Sequence, residues 1–236
     1  MSMDTDVFIF GIGSGIGKSL FQRFLKEPNT NVFGFSRKGE EKLHEFQSKK
    51  SYVLDLTKED QLEELNHFFQ IHLKKRFQTV QKLVVYFAHG DGVFGPVEKA
   101  ETKSIHSHFQ LNVYSLFALC KIFHQALPTY HSTNFVFMGS TAGRIGFPES
   151  TLYCASKHAV TGFAKSLREE WKTWGAKVVQ VHLGAVATEI WDSRPEFDKN
   201  DMVSVDDCAE YLLGISHLPD SVFLDEVAIT PRKGIL

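Results

Sequence analysis

Along the 236-residue chain, short runs in which nearly every position is apolar, β-branched or aromatic alternate with longer stretches of helical periodicity. The short runs are DVFIF at 6–10, NVFGF at 31–35, SYVLD at 51–55, KLVVYFA at 82–88, NFVFMG at 134–139, KVVQVHL at 177–183 and SVFLDEVAI at 221–229. Their length and residue types predict strands. Helices are expected near 16–27, 40–48, 58–76, 101–126, 151–174 and 205–216. Strands that are apolar on both faces need helices on both sides of the sheet. The expectation is an α/β fold, a single doubly wound domain over 1–236 with a mostly parallel seven-stranded sheet. The 21 phenylalanines fall mostly in strand runs and on apolar helix faces, which assigns them to the core.

Charge and cysteine content narrow the function classes. A net charge of −2 with interspersed Lys and Glu gives no basic surface for nucleic acid or anionic lipid. Three isolated cysteines, Cys120, Cys154 and Cys208, form neither a disulfide framework nor a zinc knuckle. No apolar run reaches the length of a membrane span, and MSMDTDVFIFG carries no basic leader. A cytoplasmic protein is expected. Among eleven histidines, His106 and His108 point to different helix faces and no HExxH occurs, so no metal site is expected.

After the first strand comes GIGSGIGKSL at 11–20. A glycine-rich turn here lets a pyrophosphate approach the backbone, where the N–H groups and dipole of the following helix stabilise its charge. Gly11, Gly15 and Gly17 are the positions where a Cβ is least tolerable. A nucleoside-triphosphatase phosphate loop needs glycine five positions before Gly17-Lys18-Ser19, and Ile12 stands there.

In LYCASKHAV, Tyr153 precedes Lys157 by one helical turn. An ammonium beside a phenol favours the phenolate and brings tyrosine toward acid–base work at neutral pH.

The glycine pattern, Tyr153-x-x-x-Lys157, Asp55 in VLDLTKED, Asn112 in LNVYSLF and Ser140 in MGSTAG occur in one order along the whole chain. Together they resemble the short-chain dehydrogenase/reductase family. Phe10, the stretch Phe87–Gly90 and Leu183-Gly184 depart from its usual residues. The resemblance implies a Rossmann-type fold and hydride transfer between a nicotinamide cofactor and a carbonyl or alcohol. It makes Tyr153 the proton donor, has Lys157 lower its pKa, gives Ser140 the substrate oxygen and Asn112 a water path. It places the cofactor against Gly11, Gly13, Ser14, Gly15, Ile16 and Gly17, then Ser36 and Arg37, then Asp55 and Leu56. Further contacts implied are Ala88, Gly90, Asn112, Tyr153, Lys157, Gly184, Val186 and Thr188. Asp55 is expected to accept from the adenine amino group.

An acid at the end of the second strand would favour NAD(H). Here Ser36 and Arg37 suit a 2′-phosphate, so NADP(H) is expected ahead of NAD(H). Phe94, Phe147 and Trp191 follow strands and are expected pocket walls for an apolar or ring-bearing substrate, with His89 and Arg144 as polar contacts. The polar stretch 188–204 reads as a lid. The resemblance implies a homodimer or homotetramer through the 151–174 helix and its predecessor. The expected activity is NADPH-dependent carbonyl reduction; the competing reading is a non-catalytic redox sensor or scaffold, which has no need of all four catalytic side chains.

Overall fold

A computed structural model describes residues 5–43, 47–76 and 81–235. Seven parallel strands form one sheet in the order β3-β2-β1-β4-β5-β6-β7. They are β1 (Thr5–Phe10), β2 (Thr30–Ser36), β3 (Lys50–Val53), β4 (Lys82–Phe87), β5 (Ser132–Met138), β6 (Lys177–Leu183) and β7 (Glu226–Ile229). The helices are α1 (Gly15–Phe24), α2 (Glu59–Arg76), α3 (Thr102–Phe109), α4 (Ser115–His124), α5 (Thr151–Trp171) and α6 (Val205–Ser216). All described pairings are parallel, where a mostly parallel sheet was expected.

The two-residue period of a strand sorts the side chains. Phe8, Phe10, Phe33, Phe35, Phe87 and Phe137 share one face with α2, α4 and α5. Val7, Ile9, Val32, Val84, Val136 and Val181 face α1 and α6. On the first face rings stack across neighbouring strands, Phe10 on Phe35 at 4.8 Å and Phe87 on Phe137 at 4.4 Å between centroids. Each such buried ring contributes about 2 kcal/mol. The strand order reverses between β1 and β4, which opens a crevice at their carboxyl ends.

Four elements depart from expectation. No helix forms over the described part of 40–48, whose residues 44–46 lie outside the described set. The N–H groups of Glu40 and Glu41 bond instead to the Ser51 carbonyl, and Glu41 bridges Tyr52. The single helix expected over 101–126 is α3 and α4 joined by a π-turn at Gln110–Tyr114, a distortion that leaves the apolar periodicity intact. The third strand stops at Val53, because Asp55 enters a turn with Thr57. The last strand is confined to Glu226–Ile229, and the Asp225 carbonyl just before it is shared between Gln180 N–H of β6 and the Arg168 side chain. Residues 1–4, on which part of the leader reading rests, lie outside the described set. Among the described residues no helix is long and apolar enough to cross a membrane.

Candidate active site

The glycine turn is pinned from two sides. Gly11 N–H donates to the Phe35 carbonyl at 2.8 Å and Ala88 N–H to the Phe10 carbonyl at 2.9 Å. Gly11 has φ +102°, and a Cβ on Gly17 would stand 2.3 Å from the Gly11 oxygen. Ser14 begins α1 in extended conformation without capping it by its side chain, and the first turn holds no acid. The helix N-terminus is thus left to an anionic ligand.

A cleft of about 870 Å³ opens at this turn. Ser14, Gly15, Ile16 and Gly17 form one wall; Ala88, His89, Gly90 and Asp91 continue it; Ser140, Tyr153 and Lys157 stand opposite with Gly184, Val186 and Thr188. Phe94, Phe147 and Trp191 line its outer part with Phe197.

Ser140 follows β5, and its Oγ accepts from Ala142 N–H at 3.1 Å while bonding the Tyr153 hydroxyl. Tyr153 lies in the first turn of α5 with its ring 5.1 Å from that of Phe94. Lys157 Nζ stands 3.4 Å from the Met138 carbonyl. Burial pushes the Lys157 ammonium down to about 8, against a smaller upward pull from Asp91. The phenol departs from the expected lowering: burial raises Tyr153, opposed by the Ser140 hydrogen bond, and Asp91 and Cys154 raise it further. Desolvation outweighs the Ser140 hydrogen bond here.

Sequence profiles settle the relationship. The profile of the short chain dehydrogenase family matches residues 5–199. The chain belongs to the short chain dehydrogenase family. It is 31% identical over 147 residues to the NADPH-dependent 1-acyldihydroxyacetone phosphate reductase of Saccharomyces cerevisiae, covering 62% of this chain and 48% of that one. It is 26% identical over 193 residues to the NADPH-dependent 3-dehydrocapnine reductase of Ornithobacterium rhinotracheale, covering 78% of this chain and 66% of that one. The chain spans about half the length of the first curated relatives it matches. Its fold is that of the alcohol dehydrogenase of the archaeon Thermococcus sibiricus, solved with 5-hydroxy-NADP, with a TM-score of 0.78, 20% identity, and 97% of each chain covered.

The remaining expected residues occupy distinct places. Asn112 sits behind the cleft on the π-turn, where its Oδ1 accepts from Asp91 N–H at 3.0 Å. Ser36 lies outside the cleft walls, beside the Gly13 α-carbon, and accepts from Lys38 N–H at 3.1 Å. Arg37 is exposed near Asp55. Partial burial raises the Asp55 carboxyl, but hydrogen bonds from Thr57 and the charges of Arg37 and Lys58 hold it below the ordinary value. Leu56 is buried core.

Two expected polar contacts are corrected. Arg144 does not line the cleft; its guanidinium pairs with Glu226, a carboxylate it shares with Lys165 and His182. His89 does line the cleft, but its Nε2 is committed to Ser115 at 2.9 Å, and burial with nearby Lys157 pushes the ring down to about 3. The stretch 188–204 is folded over the outer cleft as two short turns, Glu189–Trp191 and Lys199–Asp201, tied back by a Val186–Val203 bridge.

Sequence reasoning missed Asp91 and His108. The available signals were an acid directly after Gly90 and a histidine one turn before Asn112 on the same helix face.

A dinucleotide fits the groups present. A Cβ on Gly15 would fill the gap to Thr188 Cγ2 at 3.1 Å, the helix start offers uncapped N–H donors, and the cleft is of cofactor size.

Proposed function

We propose that the protein is an NADPH-dependent reductase of apolar or ring-bearing carbonyl compounds. The observation that carries this reading is that Ser140, Tyr153 and Lys157 line the same cleft as the glycine turn. A bound nicotinamide supplies the hydride. Gly11, Gly13, Ser14, Gly15, Ile16 and Gly17 would hold the pyrophosphate, and Thr188, Val186 and Gly184 would hold the nicotinamide end. Ser140 Oγ accepts from Ala142 N–H, so its one proton is left for an oxygen in the cleft: it faces the Tyr153 hydroxyl in the free protein and polarises the substrate oxygen when that is bound. Tyr153 then donates its proton to that oxygen, and Lys157 stabilises the phenolate left behind.

The phosphate preference is supported by the lack of an acid after β2 and by Ser36 and Arg37 in its place. The NADPH-dependent relatives agree with it. Phe94, Phe147 and Trp191 support an apolar substrate, and Asp55 is the proposed adenine contact. Exposed Tyr114 at the end of the π-turn and Phe117 of α4, the latter in tilted ring contact with Phe163 of α5, support homodimerisation through α4 and α5.

The test is NADPH consumption with aldehydes, ketones, quinones and 3-oxoacyl thioesters. The expected result is turnover with at least one class, lowered about 10²- to 10⁴-fold in Tyr153→Phe with cofactor binding kept. Equal turnover in both proteins would remove Tyr153 as the acid.

A further inference from the structure

The reduction scheme leaves one cation of the cleft unused. Among the described residues that line the cleft, Lys157 and Arg194 are the only lysine and arginine. Lys157 is buried beside Tyr153, whereas Arg194 belongs to the stretch folded over the outer part. The Arg194 side chain is only 20% exposed. Its guanidinium carbon lies 5.3 Å from the centroid of the Phe94 ring and 4.9 Å from that of Phe197. Phe197 in turn meets Trp191 edge-on at 5.2 Å. The backbone is fixed as well. Arg194 N–H donates to the Trp191 carbonyl at 2.9 Å, and the Arg194 carbonyl accepts from Phe197 N–H at 3.1 Å.

Taking a guanidinium out of water is unfavourable unless its charge and its N–H donors both find partners. Here the charge does. Two ring faces attend it, and Glu196 Oε1 accepts the Nε proton at 2.5 Å. The remaining donors do not: among the described residues nothing accepts a hydrogen bond from Nη1 or Nη2, and aromatic rings are weak acceptors. Those two nitrogens form an edge that matches a carboxylate or phosphate with two parallel bonds. Position gives the edge a use. The Phe94 ring touches both Tyr153, at 5.1 Å between centroids, and Arg194, so a carbonyl held at Tyr153 and Ser140 has the guanidinium about one ring away. Of the acids in the outer cleft, Asp192 is held by Lys199 at 2.5 Å, while Glu149 and Glu189 pair with no cation among the described residues. Neither is paired with Arg194, so a substrate meets both signs of charge.

We propose that Arg194 binds the substrate and selects carbonyl compounds that carry an oxyanion, a carboxylate or a phosphate, about one ring's length from the carbonyl. The apolar body between the two groups lies against Phe94 and Trp191. We rest this on the reductase reading and narrow its substrate from any apolar or ring-bearing carbonyl compound to one with an anionic end. No bond is made or broken at Arg194; its part is binding.

The test compares aldehydes of one shape, each reduced with NADPH at pH 7: para-formylbenzoate, its neutral methyl ester, and the cationic para-(trimethylammonio)benzaldehyde. The phosphate monoester of para-hydroxybenzaldehyde is the second anion, and whichever anion leads names the group. In the wild type, kcat/KM is expected to favour an anion over the ester by at least about tenfold, through KM rather than kcat. Arg194→Met is expected to bring the anion-to-ester ratio within about threefold of one. Arg194→Lys is expected to keep part of the preference, because lysine retains the charge but not the fork. A residue that only stapled the stretch over the cleft would slow all substrates together and leave the ratio in place. Turnover with no preference for either anion, a preference for the cation, or a ratio unmoved in Arg194→Met overturns the proposal. Calorimetry of the NADP⁺ complex with para-toluate and its methyl ester, which carry a methyl group where the aldehyde stood, reads the same preference without turnover. The carboxylate is expected to bind at least about tenfold more tightly than the ester in the wild type and not in Arg194→Met. If no aldehyde is reduced while this difference holds, the reductase reading fails and the anion site stands; equal affinity for the two ligands overturns the anion site alone.

Discussion

Lys157 Nζ stands 5.6 Å from the centroid of the Tyr153 ring, one turn further along α5. The same burial acts oppositely on their ionised forms, holding Lys157 down to about 8 and raising Tyr153. A neutral Lys157 could not support a phenolate. In the free enzyme, kcat/KM for reduction is therefore expected to fall about tenfold per pH unit above roughly pH 8. Stability moves the other way. Between about 8 and the ordinary value of 10.5 the unfolded lysine binds the proton that the folded one has lost, so this group's contribution rises with pH. A pH profile by stopped-flow absorbance, set beside urea unfolding over the same range, checks both signs.

His89 predicts acid sensitivity. His89 Nε2 is hydrogen-bonded to Ser115 Oγ at 2.9 Å, and its Nδ1 is buried without a partner. The ring stays neutral to about 3 in the folded chain, whereas an unfolded histidine takes up its proton near 6.5. Stability is expected to fall as pH drops through this window, by up to about 1.4 kcal/mol per pH unit from this residue. Urea unfolding of His89→Ala between pH 6 and 4 should show a shallower slope than wild type. An identical slope would show that the site hydrates before it unfolds.

Arg37 is the proposed discriminator between the two cofactors. It is exposed beside Ser36, where its guanidinium can bond a 2′-phosphate that NADH lacks. Arg37→Ala is expected to weaken NADPH binding about 10- to 100-fold, the size of a charge-assisted hydrogen bond, and to leave NADH binding nearly unchanged. Fluorescence titration with both cofactors measures it. Unchanged NADPH affinity would assign the preference elsewhere.

What the sequence revealed follows from how locally each feature is encoded. Parallel strands buried on both faces leave apolar runs such as KLVVYF, and the glycines of the first turn show as a local pattern although the atoms they make room for, such as His89 beside Gly11 and Thr188 beside Gly15, come from distant loops. The segment at 40–48 was misread because its amphipathic spacing competes with hydrogen bonds to Ser51, which only the folded sheet edge supplies. The π-turn at Asn112 breaks hydrogen bonding without breaking the apolar pattern. Asp91, His108 and Ser156 belong to a loop and two helices, so their contacts exist only once the fold joins them. The sign of the Tyr153 shift was likewise hidden: side-chain spacing reports an ammonium neighbour, but not how much water has been removed from both.

The glycine turn offers a contrast that separates fold from ligand. A methyl group at Gly17 would sit 2.3 Å from the Gly11 oxygen, a backbone atom that cannot swing aside. Moving it would break the bond from Gly11 N–H to Phe35, and Gly11 is already at a φ that other residues avoid. Gly17→Ala is expected to cost about 2 kcal/mol and lower Tm by about 4–8 °C. Gly214 lies exposed on α6 with nothing within 4 Å of the added carbon, so Gly214→Ala is expected to stabilise by about 0.5 kcal/mol through helix propensity. NADPH affinity separates them further: displacement of the turn should weaken binding at least about tenfold in Gly17→Ala, measured well below its Tm, and leave Gly214→Ala unchanged. Equal NADPH affinity in the two variants would mean that the first turn of α1 does not hold the pyrophosphate.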